Sequence, residues 1–282
     1  MKHILVATDL SPHADRAVDR GMRLAQRLEA KLTLLHAVDS TLPGTILGMH
    51  RREAAEILRE AARQGSAHVE AVPLVVAGDP WSVIVESAAR VKADLLVMGV
   101  HHKKKLRDMF RGTTSERVIR SVGVPVLVAA RPGRSNYRGV VVGVDFSEAA
   151  KRAFHAAVAL HPQGTVTAVH AYDVVLPDMS FLSMRDATRV RHTVLAEAAD
   201  RAGAELDVWL GRKQDVRKVR KSIVQGDAAV CLRAAVNRTR ADLLAIGTRG
   251  LGTAHRLLTG SVSAGLLGDA PCDVLVTSGR GA

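Results

Sequence analysis

The stretch GTRGLGTAHRLLTGSVSAG, residues 247–265, holds residues whose types and spacing could do chemistry. Gly247 and Gly250 stand three apart, nine residues follow, and Gly260 and Ser261 then open an apolar run at helical spacing. Glycine lets backbone approach a ligand with no Cβ in the way, and the free amides at a helix start favour a phosphate. Ser261 would add a hydroxyl donor and Val262 a further amide. No Lys follows the second glycine as a Walker loop requires. Charge neutralisation would then fall to amides, a divalent ion, or Arg249 and Arg256. An ordinary strand-to-helix connection capped by Gly and Ser would read the same way, so the surrounding elements have to decide.

Those elements occur twice, at a spacing of about 140 residues, which marks an internal duplication. His3-Ile-Leu-Val-Ala-Thr-Asp9-Leu-Ser11 is echoed by Gly139-Val-Val-Val-Gly-Val-Asp145-Phe-Ser147. Leu34-Leu-His-Ala-Val-Asp39 is echoed by Ala168-Val-His-Ala-Tyr-Asp173, Gly78-Asp79 by Gly226-Asp227, and Ala93-Asp-Leu-Leu-Val-Met-Gly99 by Ala241-Asp-Leu-Leu-Ala-Ile-Gly247. Short Val, Leu and Ile runs alternate with helical periodicity, the pattern of parallel strands covered on both faces. In the first half it predicts strands near 3–8, 32–38, 69–76, 94–98 and 124–129, with helices near 14–29, 49–65, 80–91 and 113–121. The second half follows suit, except that the basic stretch 211–221 obscures the start of its third strand. It reads as a solvated loop or strand edge. Turn residues at 131–136 mark a boundary between domains at 1–132 and 137–282.

The expected fold is therefore α/β, two tandem five-stranded parallel-sheet sandwiches of strand order 3-2-1-4-5 with helices on both faces. In such sheets ligands bind beyond the carboxyl ends of the strands where the order reverses. Asp9 and Asp145 end first strands, and Gly99 and Gly247 end fourth strands, so each pair would converge on one crevice.

With those residues in place, the chain resembles the universal stress protein family across essentially its whole length, as two tandem copies. Gly247, Gly250, Gly260 and Ser261 meet the family's nucleotide signature at every position. The resemblance implies ATP with Mg or Mn, with Asp145 and Ala171 facing the nucleoside, Ile246 and Gly247 lining the entrance, and Gly250, Gly260, Ser261 and Val262 holding phosphates. It also implies that the fifth strands, Val124 to Val128 and Val274 to Val276, meet as in the family's dimers, an intramolecular pseudo-dimer. The corresponding first-half residues are Asp9, Ala37, Met98, Gly99, Gly112 and Thr113. There His102 replaces the second glycine, and Lys103, Lys104 and Lys105 follow, so the second half is expected to hold the nucleotide. His36 and His170 read as structural residues within strands.

The implied function is an ATP-binding regulator of the stress response acting on an unidentified protein partner, with room for a homodimer of tandem chains. A slow ATP hydrolase and a nucleotide-free scaffold are the alternatives. No residue is assigned a catalytic role. Motifs of adenylyl-transferring enzymes, His-x-Gly-His or Ser-Gly-Gly-x-Asp-Ser, do not occur. The 282 residues carry a formal net charge of +12, divided evenly between the halves. That charge attracts polyanions, but 3% aromatics provide no stacking platform for nucleic acid. Cys231 and Cys272 form neither a disulfide framework nor a zinc motif. No export signal or membrane span is evident in the sequence, so a cytoplasmic location is expected.

Overall fold

The computed structural model describes residues 1–12, 14–64, 69–99, 114–132, 135–176, 178–179, 183–211, 219–248 and 261–279. Five strands and four helices alternate in the first half: β1 (His3–Ala7), α1 (Asp15–Leu28), β2 (Lys31–Val38), α2 (Gly44–Gln64), β3 (Ala71–Ala77), α3 (Pro80–Arg90), β4 (Leu95–Gly99), α4 (Thr114–Ser121) and β5 (Val126–Ala129). The second half repeats the order with β6 (Gly139–Gly143), α5 (Glu148–Leu160), β7 (Thr165–Tyr172), α6 (Met184–Leu210), β8 (Val219–Gln225), α7 (Ala228–Thr239), β9 (Leu243–Gly247), α8 (Ser261–Gly268) and β10 (Asp273–Thr277).

All ten strands form one sheet, in the order β3-β2-β1-β4-β5-β10-β9-β6-β7-β8. Each half thus has the order 3-2-1-4-5, parallel throughout. The halves join by an antiparallel pairing of their fifth strands, with Val274, Leu275 and Val276 opposite Val128, Leu127 and Val126. Alternation along the strands feeds two apolar layers. Ile4 and Val6 pack with Leu24 of α1, Leu58 of α2, Phe154 of α5 and Leu206 of α6 on one face. Leu5 and Ala7 pack with Ile84 of α3, Ile119 of α4, Leu232 of α7 and Leu266 of α8 on the other. Both layers run across the seam without interruption.

Local chemistry fixes where the helices begin. Gly78 and Gly226 adopt φ of +152° and +124°, a region that favours glycine. The aspartates that follow cap their helices: Asp79 accepts from the Ser82 amide at 3.2 Å and Asp227 from the Val230 amide at 3.0 Å. The repeated Gly-Asp pair is thus a turn and a cap.

The seam is also polar at one point. Asp273, 0% exposed at the start of β10, accepts from the amides of Ala130 and Arg131 at 2.9 Å each and from the Tyr137 hydroxyl at 2.8 Å. Arg20 of α1 reaches the same carboxylate, its Nε 2.8 Å from Oδ2 as an ion pair rather than an aligned hydrogen bond. Its guanidinium lies 4.4 Å from the centre of the Tyr137 ring and donates to the Ser135 carbonyl at 2.8 Å. Burial and the neighbouring Asp273 charge raise the Tyr137 phenol well above 10, so it stays a donor.

Candidate functional site

At the carboxyl ends of β1, β2 and β4 the first half opens into a cavity of about 430 Å³. Asp9, Ala37, Met98 and Gly99 line it, so four of the six first-half residues named from sequence converge. Gly112 and Thr113 lie outside the described residues, but Thr114 and Ser115, which follow them, line the cavity at the start of α4. Leu35 and Ile84 give it apolar walls, while Thr8 and Ser11 add hydroxyls near Asp9. An apolar slot with a few convergent polar groups suits a flat ring carrying polar substituents.

The Asp-x-Ser element is first a piece of local structure. β1 and β6 stop at Ala7 and Gly143, two residues before the aspartates. Asp9 Oδ1 accepts from the Ser11 amide at 3.0 Å, and Ser11 Oγ accepts from the Ala14 amide at 3.3 Å. In the second half Asp145 Oδ1 accepts from the Ser147 amide at 3.1 Å and its hydroxyl at 2.5 Å, while Ser147 Oγ caps α5 through the Ala150 amide at 3.1 Å. Between each pair, Leu10 and Phe146 hold φ of 59° and 61°. A non-glycine residue there is strained, and the side-chain bonds on either side hold it. The turn thereby fixes the Asp9 carboxylate at the lining of the first-half cavity and holds Asp145 in the equivalent conformation.

His36 and His170 donate from Nδ1 to the carbonyls of Thr8 and Val144, at 2.9 and 2.8 Å. Each ring ties the second strand to the end of the first, the structural role expected of them. Phe146 also packs on His170, ring centres 4.4 Å apart.

In the second half, Ile246 is buried at the end of β9 and Gly247 follows it, while Ala171 is half-buried on β7. Gly247 has a packing reason of its own. A Cβ there would lie 2.5 Å from the Ala150 nitrogen and 2.7 Å from the Ala149 carbonyl carbon, so the first turn of α5 fits against β9 only because this residue is glycine. Gly250 and Gly260 fall outside the described residues, as do Arg249, Arg256, His102 and Lys103 to Lys105. Ser261 is the first residue of α8, and Val262 lies half-buried in its first turn.

Sequence reasoning passed over Thr8, Ile84, Thr114 and Ser115. Ile84 could have been found, since it lies on the buried face of α3 with Val83, Ser87 and Ala88. Among the described residues no group of three or more His, Cys, Asp or Glu could hold a metal ion. None of the described helices is long and apolar enough to cross a membrane.

Comparison with known proteins agrees with this architecture. A universal stress protein of Thermus aquaticus is 32% identical over 133 residues, covering 45% of this chain and 97% of that one. A universal stress protein of Mycolicibacterium smegmatis is 25% identical over 296 residues, covering 98% of this chain and 97% of its own. A crystal structure of a universal stress protein from Archaeoglobus fulgidus superposes with a TM-score of 0.73 at 22% identity, covering 99% and 98% of the two chains, which supports the fold. The model of the universal stress protein family matches residues 1–130 and again 136–278, so this chain belongs to that family and carries its unit twice in tandem.

Proposed function

We propose that this protein is a cytoplasmic ATP-binding regulator of the stress response, built from domains at 1–132 and 137–282. The observation that carries the reading is the first-half cavity of about 430 Å³, in which Asp9, Ala37, Met98 and Gly99 meet at the carboxyl ends of neighbouring strands. Small-molecule sites span roughly 300–1,000 Å³. Apolar contacts from Leu35, Ile84 and Met98 would hold the adenine, and Asp9 would accept from ribose hydroxyls.

The second half repeats the turn around Asp145 and adds the glycine signature Gly247, Gly250, Gly260 and Ser261, so it is assigned the stronger hold on the phosphates. Amides at the start of α8 would supply that hold, and a divalent ion would travel with the phosphates. The first half pairs its nucleoside slot with a phosphate loop lacking the second glycine, and we assign it weaker triphosphate binding.

The test has two steps. Small molecules released by heat from the purified chain are identified, and ATP titration calorimetry is then run on the wild type and on Asp9→Ala, Asp145→Ala and Gly250→Ala. Adenine nucleotide in the released fraction, and a larger loss of affinity for Gly250→Ala than for Asp9→Ala, are expected. No uptake of ATP at millimolar concentration would end the proposal.

A further inference from the structure

The two halves part company at the opposite, amino-terminal edge of their strands. In the first half the His3 ring occupies that edge, its Nε2 2.9 Å from the hydroxyl of Thr33, which is 4% exposed. Strand registers identify the counterparts. His3 stands beside Lys31 as Gly139 stands beside Thr165, so glycine replaces the imidazole, and Thr167 takes the place of Thr33. Thr33 faces Val72 on β3, whereas Thr167 faces Arg220 on β8, and Leu74 gives way to Ser222.

Losing the ring and gaining polar groups leaves a cavity of about 600 Å³, bordered by Gly139, Thr165, Thr167, Arg220, Ser222 and Arg238. Thr167 is 6% exposed and borders the cavity together with Thr165. Arg238 Nη2 donates to Ser222 Oγ at 3.3 Å, and Arg220 has no carboxylate partner among the described residues. Arg138 completes the rim at 3.8 Å from Asp242, whose carboxylate already accepts from the amides of Arg138 and Gly139. Lys221 also borders the cavity, but its ammonium is paired with Asp207 at 2.6 Å and is not counted as free charge.

We propose that this cavity binds a small phosphate-bearing anion with at least two negative charges, the chemistry of a diphosphate. Guanidinium forks match phosphate oxygens in number and geometry, and Thr167 with Thr165 supplies hydroxyl donors at the floor. The site is independent of the nucleotide crevices, lying at the amino ends of β6, β7 and β8 rather than at carboxyl ends.

The test is calorimetric titration of the full chain with inorganic pyrophosphate. Saturable binding is expected. It should weaken at least about tenfold in Arg220→Val/Arg238→Gln, two exposed positions outside the core, and at least about threefold in Thr167→Val. The control Arg51→Ala/Arg52→Ala removes two exposed cations from α2 and should leave affinity unchanged. Equal losses in the two double variants would reduce the effect to overall basicity. No loss in Arg220→Val/Arg238→Gln would place the pyrophosphate elsewhere, and no saturable binding at millimolar levels would mean no site. Each of these three results overturns the proposal.

Discussion

Replacing Asp273 by Ala tests how the two halves are held together. The carboxylate is fully buried and serves Arg20, Tyr137 and the amides of Ala130 and Arg131. Removing one partner of a buried ion pair costs about 3–5 kcal/mol, because the other charge is left uncompensated. Each of the other three donors would add about 1–3 kcal/mol if nothing relaxed. Relaxation is available: Arg20 keeps its bond to the Ser135 carbonyl and its place over the Tyr137 ring, and Arg131 is exposed enough for its amide to reach water. The net expectation is a loss of about 4 kcal/mol.

Unfolding in urea, followed by circular dichroism, measures that loss directly. The companion variant Arg20→Met and the double variant complete a cycle, in which the coupling should exceed about 1 kcal/mol because the two side chains touch. A loss below about 1 kcal/mol for Asp273→Ala, or additive single effects, would refute the reasoning that this carboxylate ties α1 to β10.

Three further outcomes follow from other buried groups. Gly247→Ala should cost at least about 1–3 kcal/mol in urea unfolding, since its Cβ meets backbone atoms of Ala149 and Ala150 that cannot swing aside; a neutral result would contradict the packing role. The His161 ring is 7% exposed, and burial and the Arg27 charge hold its pKa below the ordinary 6.5. The unfolded chain therefore takes up the proton first, so stability is full above about pH 6.5 and falls as pH drops toward the folded value. His161→Phe should flatten the pH dependence of the urea midpoint between about pH 7 and 5, and an unchanged slope would count against it. Burial and the Asp273 charge push the Cys272 thiol up to about 12, so alkylation at pH 8, read by mass spectrometry, should spare it until the chain unfolds.

Much of the fold was legible because the information was local or repeated. Strands lie within two or three residues of the apolar runs, and the duplicated Asp-x-Ser and Gly-Asp elements mark the same turns and caps in both halves. α2 begins at Gly44 rather than near 49, because Pro43 ends the preceding turn and its carbonyl accepts from the Leu47 amide at 2.8 Å, while the apolar periodicity starts later. The start of β8 is obscured because Arg220 and Lys221 are both exposed and break the apolar run, so no alternation marks the strand. Gly247 was read as an entrance residue, and its contact with α5 depends on how two elements meet, which no spacing encodes. The Asp273 cluster joins residues 20, 130, 137 and 273, a combination that exists only after the fifth strands pair. Of the first-half cavity, Asp9, Ala37, Met98 and Gly99 were legible from the duplicated motifs, whereas Ile84, Thr114 and Ser115 join it through the packing of α3 and α4.

The antiparallel seam leaves the sheet with two free edges, and the chain treats them differently. β3 carries Pro73, which cannot donate to a further strand, and β8 carries Arg220 and Lys221, whose charges oppose pairing with another chain. Edge protection alone could therefore account for cations on β8, and this reading competes with an anion site. It does not account for the rest of the cavity. A protected edge needs no glycine at 139 in place of an imidazole, and no threonines at 165 and 167 lining the cavity. Those two features lie one and two strands inward, where an aggregating neighbour never reaches. Of the two cations, Lys221 is paired with Asp207, while Arg220 shares the face of Thr167. The edge explanation thus suffices for one residue of the group, and the inward residues favour a ligand.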